Sequence, residues 1–152
     1  MISITDKTLQ DLEFNTILET ISAICNTEIG KQKALQIIPF KDKELLMNAL
    51  LQTSEYVSSF TNNNAIPNHG FETITSDLKM LAIEDSFLEV GSFRKMATLS
   101  ETVNVLLLFL KKFNDYYPKL NEKASQIEFT KVIIQKIDEV VDKYGEIKDN
   151  AS

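Results

Sequence analysis

Residues 88–110, LEVGSFRKMATLSETVNVLLLFL, carry the pattern that decides the fold class. The inward positions recur at the spacing of one helix face: Phe93, Met96, Ala97, Ser100, Val103, Leu107 and Leu110. This spacing predicts a helix of about seven turns with one buried stripe. Ser86 and Glu89 have the spacing of a capping box and predict its start. Residues 105–110, VLLLFL, are apolar nearly all round, so we expect neighbours to cover this end on several sides.

The same periodicity predicts three helices before residue 61. The first takes Asn15 as its N-cap, and its apolar stripe is Ile17, Leu18, Ile21, Ile24 and Cys25. The second runs from Thr27 to about Ile38 and is stopped by Pro39. The third begins after Asp42, and its buried side is expected to be Leu46, Ala49, Leu50, Thr53, Val57 and Phe60.

Two more helices are predicted beyond the polar tract of residues 61–70, which reads as a loop. A short one is capped by Thr75 or Ser76, and Pro118 is expected to break the chain further on. The last opens at the capping-box pair Ser125 and Glu128, and its inward side is Phe129, Val132, Ile133, Ile137, Val140 and Val141. No stretch alternates long enough to predict a strand. We therefore predict an all-α fold, a bundle of about six helices, two or three of them long, in a single helical domain over residues 1–152.

Composition sets the broad class of the protein. The 152 residues are 43% apolar and 25% charged, which is typical of one ordinary globular domain. The lone cysteine excludes an intramolecular disulfide and fits a reducing compartment. The N-terminus lacks a basic region followed by an apolar run, and the longest apolar run is far too short to span a bilayer. These features predict a soluble, cytoplasmic protein with no membrane partner.

The charge balance argues against a nucleic-acid binder acting alone. The chain has 16 basic and 22 acidic residues and a net charge of −6, whereas affinity for nucleic acid depends largely on Lys and Arg neutralising phosphates. We expect weak or no binding at physiological salt. A modest basic patch consists of Lys31, Lys33, Lys41 and Lys43. Whether this patch contacts phosphate is left open.

Candidate catalytic and metal-binding residues are few. His69, the only histidine, lies in the predicted loop, where a solvated residue is the favoured interpretation over a general base. Cys25 lies on an apolar stripe, which predicts a small buried side chain and not a nucleophile. One histidine and one cysteine cannot build the usual zinc site. Gly30 and Lys31 lack the upstream glycine and following hydroxyl of a phosphate loop.

A calcium site is not predicted either, because Asp138, Glu139 and Asp142 lack the ligand spacing of an EF-hand. The sequence therefore predicts no catalytic, cofactor-binding or metal-binding residue in this chain.

Four stretches in order carry a resemblance to a known family. Residues 8–35 contain Leu-Glu-Phe before a helix and then Gly-Lys-x-x-Ala; residues 37–57 contain a proline break and Thr-Ser-Glu. Residues 88–110 match a long helix, and residues 137–152 contain Ile-Asp, Gly-Glu-Ile and Asp-x-Ala-Ser. Together they resemble the N-terminal core region of the second bacterial MutS branch, the Smr-bearing MutS paralogues.

The resemblance also accounts for the last residues of the chain. Gly145 is a residue type that ends helices, and Asp149, Asn150 and Ser152 are types that begin them. In the family another long helix follows this segment and leads towards a clamp. The resemblance thus implies an N-terminal fragment of a longer multidomain protein, without its ATPase, clamp and Smr domains.

Full members of the family lack the mismatch-reading domain of mismatch-repair MutS. They are implied to be dimeric ATPases, with ATP and Mg²⁺ as cofactors, which act in recombination control on branched DNA or on stalled ribosomes. The resemblance leaves open which of the two the parent acts on, and whether it retains the Smr nuclease. It assigns no ATPase or nuclease residue to this chain, so the fragment itself is expected not to be an enzyme.

Three hypotheses for function follow. The leading one is a non-catalytic helical core, or lever, that couples the ATPase state of the parent to its clamp. The partners of this lever would be the remaining core, clamp and ATPase domains, and also DNA or the ribosome through the parent. The alternatives are a free-standing helical adaptor for protein interactions and an enzyme with an unrecognised site. We also expect homodimers through exposed apolar surface, at residues 105–110 or along Ile133, Ile137 and Val141.

Overall fold

The structure, a computed structural model, describes residues 4–151. Within this range the chain forms eight helices and no strand, which confirms the predicted all-α class. The helices are α1 Asp6–Asp11, α2 Phe14–Ala23, α3 Glu28–Leu35, α4 Lys43–Ser58, α5 Thr75–Leu81, α6 Val90–Lys112, α7 Pro118–Ala124 and α8 Lys131–Val140. An isolated antiparallel bridge joins Val141 and Ile147.

Two short helices, α1 and α7, raise the number above the six or so that the periodicity predicts. α7 begins at Pro118, where we expected only a break. Proline suits the first position of a helix, because the N–H that it lacks would have no intrahelical acceptor there. α1 is capped by Thr5, whose hydroxyl accepts from the amide of Thr8 at 3.2 Å.

Helix starts were predicted with mixed success. α3 begins directly after Thr27, in agreement with the predicted start, and the hydroxyl of Thr27 caps it by accepting from the amide of Gly30 at 3.0 Å. The two capping-box predictions were wrong. Ser86 donates to the carbonyl of Met80 in α5, and Ser125 donates to the carbonyl of Glu122 in α7. Both serines satisfy carbonyl groups at the end of the preceding helix, which is the other use of a short hydroxyl side chain.

The first helix of the predicted set also begins elsewhere. α2 starts at Phe14, directly after Glu13, whose φ of 51° lies in the left-handed region, so Asn15 lies inside the helix and not at its N-cap. The short helix predicted to be capped by Thr75 or Ser76 instead starts at Thr75 with Ile74 as its N-cap, so that predicted cap was wrong. Neither offset changes the order of the helices.

The chain divides into two compact units after Lys43. The first unit contains α1 to α3, with α1 and α3 each packed against α2. Leu18 and Ala34 are buried in it, and the hydroxyl of Ser22 donates to the carbonyl of Lys31 at 3.3 Å. The second unit contains α4 to α8. A single domain over residues 1–152 stays a prediction beside this division.

The core of the second unit lies where α6 meets α8. Met96 and Ala97 of α6 are buried there against Ile137 and Val141. Phe93, at the start of α6, is partly buried against the same cluster. α7 packs along α6 as well. No helix within residues 4–151 combines the length and the apolar character needed to cross a membrane.

Several apolar positions that the periodicity marks as inward are exposed. In α2 only Leu18 of the predicted stripe is buried. Cys25, just beyond the helix, was predicted to be buried but is half-buried. The predicted stripe of α4 contains no buried residue. In the last helix Ile137 and Val141 are buried, whereas Val132 is exposed. Periodicity identifies an apolar face, but burial also requires a packing neighbour, and the described part of the chain covers these faces only in part.

Candidate functional site

His69 has local hydrogen-bond partners in the loop where the sequence places it. Its Nδ1 lies 2.9 Å from the carbonyl oxygen of Pro67, and its Nε2 lies 3.3 Å from the hydroxyl of Tyr56 in α4. Since a carbonyl oxygen only accepts, Nδ1 is the donor to Pro67. The rings of Tyr56 and His69 also meet edge to face, with centroids 5.7 Å apart. This histidine ties the loop to α4.

The other residues weighed from the sequence do not come together as a chemical site. The sulfur of Cys25 donates to the carbonyl of Ile21 at 3.3 Å. The lysines of the predicted basic patch, Lys31, Lys33, Lys41 and Lys43, are all exposed, and Lys31 pairs with Glu28 at 3.7 Å. No group of three or more His, Cys, Asp or Glu side chains within residues 4–151 has the arrangement of a metal site.

Arg94 joins α6 to α8 through a charged network that the sequence pattern did not reveal. Its guanidinium donates to Asp138 of α8 at 2.8 Å and to Glu101, which lies further along the same face of α6, at 2.9 Å. The arginine side chain is only 20% exposed. Burial opposes the charge, but the bonds to Asp138 and Glu101 outweigh it and raise the pKa of Arg94. The network fixes the start of α6 against α8.

A tight turn after α8 extends this network. The amide of Asp142 donates to the carbonyl of Glu146 at 2.8 Å, and the amide of Lys148 donates to the carbonyl of Val140 at 2.9 Å. The ammonium of Lys148 also donates to the backbone carbonyl of Asp138. Asp138 therefore accepts from Arg94 with its carboxylate and from Lys148 with its carbonyl, so a single residue of α8 binds both the long helix α6 and the turn.

The carboxylate of Asp142 organises the inside of this turn. It accepts from the amides of Tyr144 at 2.8 Å and Glu146 at 2.9 Å. The amide of Glu146 makes the largest contribution to lowering the pKa of Asp142. Partial burial raises this pKa, whereas the amides of Tyr144 and Gly145 and the positive charge of Lys148 lower it further. Asp142 is thus a residue that shapes the turn.

Gly145 adopts a φ of +83°, the left-handed region that the sequence associates with it. The position of this glycine in the fold was not predicted, because α8 ends at Val140 and Gly145 lies in the turn after it. A β-carbon at this position would lie 3.8 Å from the Cβ of Arg94. Asp149 and Asn150, predicted to begin a helix, form a turn, and Ser152 lies outside the described residues.

A buried polar junction connects α7 to the loop after α4. Tyr117 is fully buried, and its hydroxyl donates to the carbonyl of Asn64 and accepts from the side-chain Nδ2 of Asn62 at 2.9 Å. The carboxylate of Glu55 in α4 accepts from the amides of Lys119 and Leu120, both at 2.9 Å. These amides belong to the first turn of α7, where a negative charge is favourable. α4 and α7 are therefore held together by directed bonds.

An apolar groove of about 660 Å³ lies between α6, α7 and the start of α8. Its apolar walls are Leu107, Leu108, Ala124, Ile127 and Phe129, and two lysines, Lys111 and Lys131, also line it. Beside it the buried side chain of Asn104 accepts from the amide of Thr130 at 3.0 Å and so fixes where α8 begins. We call this feature the α6–α7–α8 groove.

Sequence reasoning missed each of these features for a definable reason. The spacing does show that Arg94 and Glu101 share a helix face. The orientation of α8 that brings Asp138 to Arg94 depends on packing. Tyr117 precedes a proline that we interpreted only as a break. Asn104 interrupts an apolar run, and a polar residue in such a run is the signal of a buried hydrogen bond.

Comparisons with known proteins find curated relatives that share one name. The chain is 26% identical over 149 residues to the "Endonuclease MutS2" of Alkaliphilus oremlandii and 28% identical over 152 residues to that of Ruminiclostridium cellulolyticum. A third such protein, from Acetivibrio thermocellus, is 27% identical over 150 residues. Each match covers 97% of this chain but 19% of the relative, so the chain spans about a fifth of the length of the curated relatives it matches.

No protein-family model and no solved structure matches the chain. The match to MutS2 proteins nevertheless runs through all four stretches on which the resemblance rests. The resemblance to the second bacterial MutS branch is therefore confirmed, and this chain is similar, over nearly its whole length, to a segment of the MutS2 endonucleases.

Proposed function

We propose that this chain is a non-catalytic helical core, or lever, region of a MutS2-type protein. The observation that carries the proposal is the match over 97% of the chain to proteins named endonuclease MutS2, of which it spans 19%. The chemistry of the whole protein would then reside in other parts of it. ATP and Mg²⁺ are accordingly proposed as cofactors of the parent, bound outside this chain, and DNA or the ribosome as partners reached through the parent.

The long helix α6 supports a mechanical role. It has 23 residues, and at 1.5 Å per residue it is about 35 Å long. Near its start Arg94 ties it to α8, and towards its other end α7 packs on it. A rod with fixed attachments at both ends can carry a displacement from one end to the other, which is what coupling between two distant sites requires. In the proposed role these sites are the ATPase domain and the clamp.

A free-standing adaptor is the second candidate, and the α6–α7–α8 groove favours it. A groove between helices is a common place to bind a partner helix. The gene separates the two candidates. For the lever, we expect the reading frame to continue past the codon for Ser152 into a Walker-type phosphate loop; a stop codon directly after Ser152 would leave the adaptor as the better proposal.

Activity assays on the purified chain test the non-catalytic part of the proposal. With ATP and Mg²⁺, or with branched DNA, we expect no turnover above a blank without protein. Steady turnover that disappears on a point substitution within residues 1–152 would contradict the proposal. His69→Ala and Arg94→Ala are the two substitutions to include, because these residues have the most directed side-chain contacts among the candidates.

A further inference from the structure

We propose that the α6–α7–α8 groove binds an amphipathic helix whose apolar face is flanked by carboxylates. This docking surface goes beyond the proposed lever role, which does not require the groove to bind anything. The argument rests on the apolar walls, on the two lysines and on the helices that frame the groove.

The walls of the groove are apolar and open to solvent. Leu108 is 57% exposed, Ile127 is 54% exposed and Phe129 is 41% exposed, although all three line the same cavity. The cavity volume of about 660 Å³ falls within the range of small-molecule sites. A small-molecule site, however, encloses its ligand, whereas side chains that remain half exposed suit an occupant that lies along the surface.

The polar side chains of the walls are already engaged within the chain. The amide of Asn121 donates to the side-chain oxygen of Asn114 at 2.8 Å, and the hydroxyl of Ser125 donates to the carbonyl of Glu122 at 2.7 Å. An occupant therefore gains little from hydrogen bonds to these two groups. Its affinity has to come from apolar contact and from charge.

The charges that line the groove are of one sign. Lys111 and Lys131 both line it, and no carboxylate does, although the chain as a whole carries −6. Neither lysine belongs to an ion pair within residues 4–151. The ammonium of Lys131 lies 5.5 Å from the centre of the Phe129 ring, which holds it beside the apolar wall. This combination is complementary to apolar side chains flanked by Asp or Glu.

The frame of the groove favours a helix over an extended peptide. α6, α7 and α8 bond their backbone groups internally, and the described part of the chain offers no strand edge to which an extended segment could add. A helix satisfies its own backbone and can present apolar residues at i, i+3, i+4 and i+7 to Leu107, Leu108 and Phe129. The occupant is therefore assigned as an acidic amphipathic helix.

Fluorescence anisotropy with designed peptides tests the assignment. The probe is a fluorescein-labelled peptide of about 18 residues, long enough to form helical turns, with Leu at one face and Glu on both flanks. The matched peptide keeps every Leu and replaces each Glu by Lys. We expect the Glu peptide to bind roughly tenfold more tightly at low salt, because two exposed attractions become two repulsions, and the difference to shrink as salt screens the charges.

Variants of the chain locate the binding. Lys131→Glu should weaken binding of the Glu peptide roughly fivefold, and Leu108→Ala should weaken it roughly tenfold through lost apolar contact. The controls are Lys79→Glu and Leu78→Ala on α5, which are also exposed and should bind like the unaltered chain. Circular dichroism of each variant checks that the helices are retained.

Three results would overturn the proposal. Equal affinity for the Glu and Lys peptides would mean non-specific apolar adhesion. Displacement of the peptide by a single-stranded oligonucleotide, with the same sensitivity to Lys131→Glu, would assign the groove to nucleic acid. A dimer of the chain that Leu108→Glu dissociates, and that excludes the peptide, would assign the groove to a second copy.

Discussion

Arg94 of α6 donates to Asp138 of α8 at 2.8 Å, across 44 residues of the chain. The same guanidinium donates to Glu101 at 2.9 Å, and the backbone of Asp138 accepts from Lys148. The only arginine of the chain is thus the point where the long helix, the last helix and the final turn meet. This relationship determines which substitutions should loosen the second unit.

Replacing Arg94 by alanine should lower the free energy of unfolding by about 1–2 kcal/mol, because two hydrogen bonds to charged acceptors are lost and the acceptors are half exposed. The unfolding free energy of Arg94→Lys should fall between those of the unaltered chain and Arg94→Ala, since an ammonium cannot satisfy both carboxylates with the fork geometry of a guanidinium. Urea denaturation followed by circular dichroism measures both. The matched control is Lys95→Ala, which removes an exposed pair to Glu72 at 3.3 Å and should cost less than about 0.5 kcal/mol. Equal costs for Arg94→Ala and Lys95→Ala would contradict the structural role of the network.

The turn after α8 should loosen in acid. The amides of Glu146 and Tyr144 donate to the Asp142 carboxylate and, with partial burial opposing, hold its pKa below the ordinary aspartate value of 3.8. Because the pKa of Asp142 is lower in the folded than in the unfolded chain, its carboxylate stabilises the turn fully at pH values above the unfolded-state pKa. This stabilisation is lost as the pH falls through the folded-state pKa. In an NMR titration the Glu146 amide should therefore shift only below the pH at which free aspartate titrates. Asp142→Asn keeps an acceptor oxygen but removes the titration, so an identical Glu146 shift in this variant would contradict the assignment.

Gly145 and Gly91 should respond in opposite directions to alanine. Gly145 has a φ of +83°, and a residue with a β-carbon costs roughly 1–2 kcal/mol in that region. Gly91 lies in the first turn of α6 with nothing within 4 Å of an added β-carbon, so Gly91→Ala should stabilise the chain by about 0.5 kcal/mol through reduced freedom of the unfolded state. Thermal unfolding of both variants gives the sign. Stabilisation by Gly145→Ala would show that the turn is not held in the left-handed conformation.

The predictability of the fold from the sequence differed by feature. The all-α class, the long helix through Met96 and Ala97 and the start of a helix at Thr27 were predicted, because each depends on short-range spacing. Which apolar residues of α4 and α8 are buried was predicted only in part, since burial depends on which neighbour packs where. Val132 and Ile137 belong to one predicted stripe, yet α6 covers only Ile137.

The candidate sites show the same division. No pattern in the sequence indicates the groove, which exists only once α6, α7 and α8 are side by side. For the network at Arg94, the sequence contained half of the information, namely the shared face of Arg94 and Glu101, but not the partner on α8. Long-range polar contacts of this kind join residues far apart in the chain, and periodicity carries no information about them.

Tyr117→Phe should destabilise the second unit by about 1–3 kcal/mol. The substitution keeps the buried ring but removes the hydroxyl that binds both the carbonyl of Asn64 and the side-chain Nδ2 of Asn62. The matched control is Tyr116→Phe, because Tyr116 is 56% exposed and its hydroxyl can be replaced by water at little cost. Urea denaturation compares the two directly. A loss for Tyr116→Phe as large as that for Tyr117→Phe would mean that the buried junction does not stabilise the fold.

Self-association should use α4 and not the last helix. The sequence predicts a buried stripe on α4, but Leu50 is 52% exposed and Val57 is 57% exposed. Of the two association surfaces expected from the sequence, Ile137 and Val141 lie buried in the core and cannot pair with a second chain. The surface at residues 105–110 stays an alternative, since Leu108 is exposed. Each Å² of apolar surface removed from water is worth roughly 25 cal/mol, which favours pairing of two such faces. Sedimentation over a range of concentrations should therefore show a dimer. Leu50→Glu should dissociate it and Leu108→Glu should not, while a monomer at every concentration would contradict the prediction.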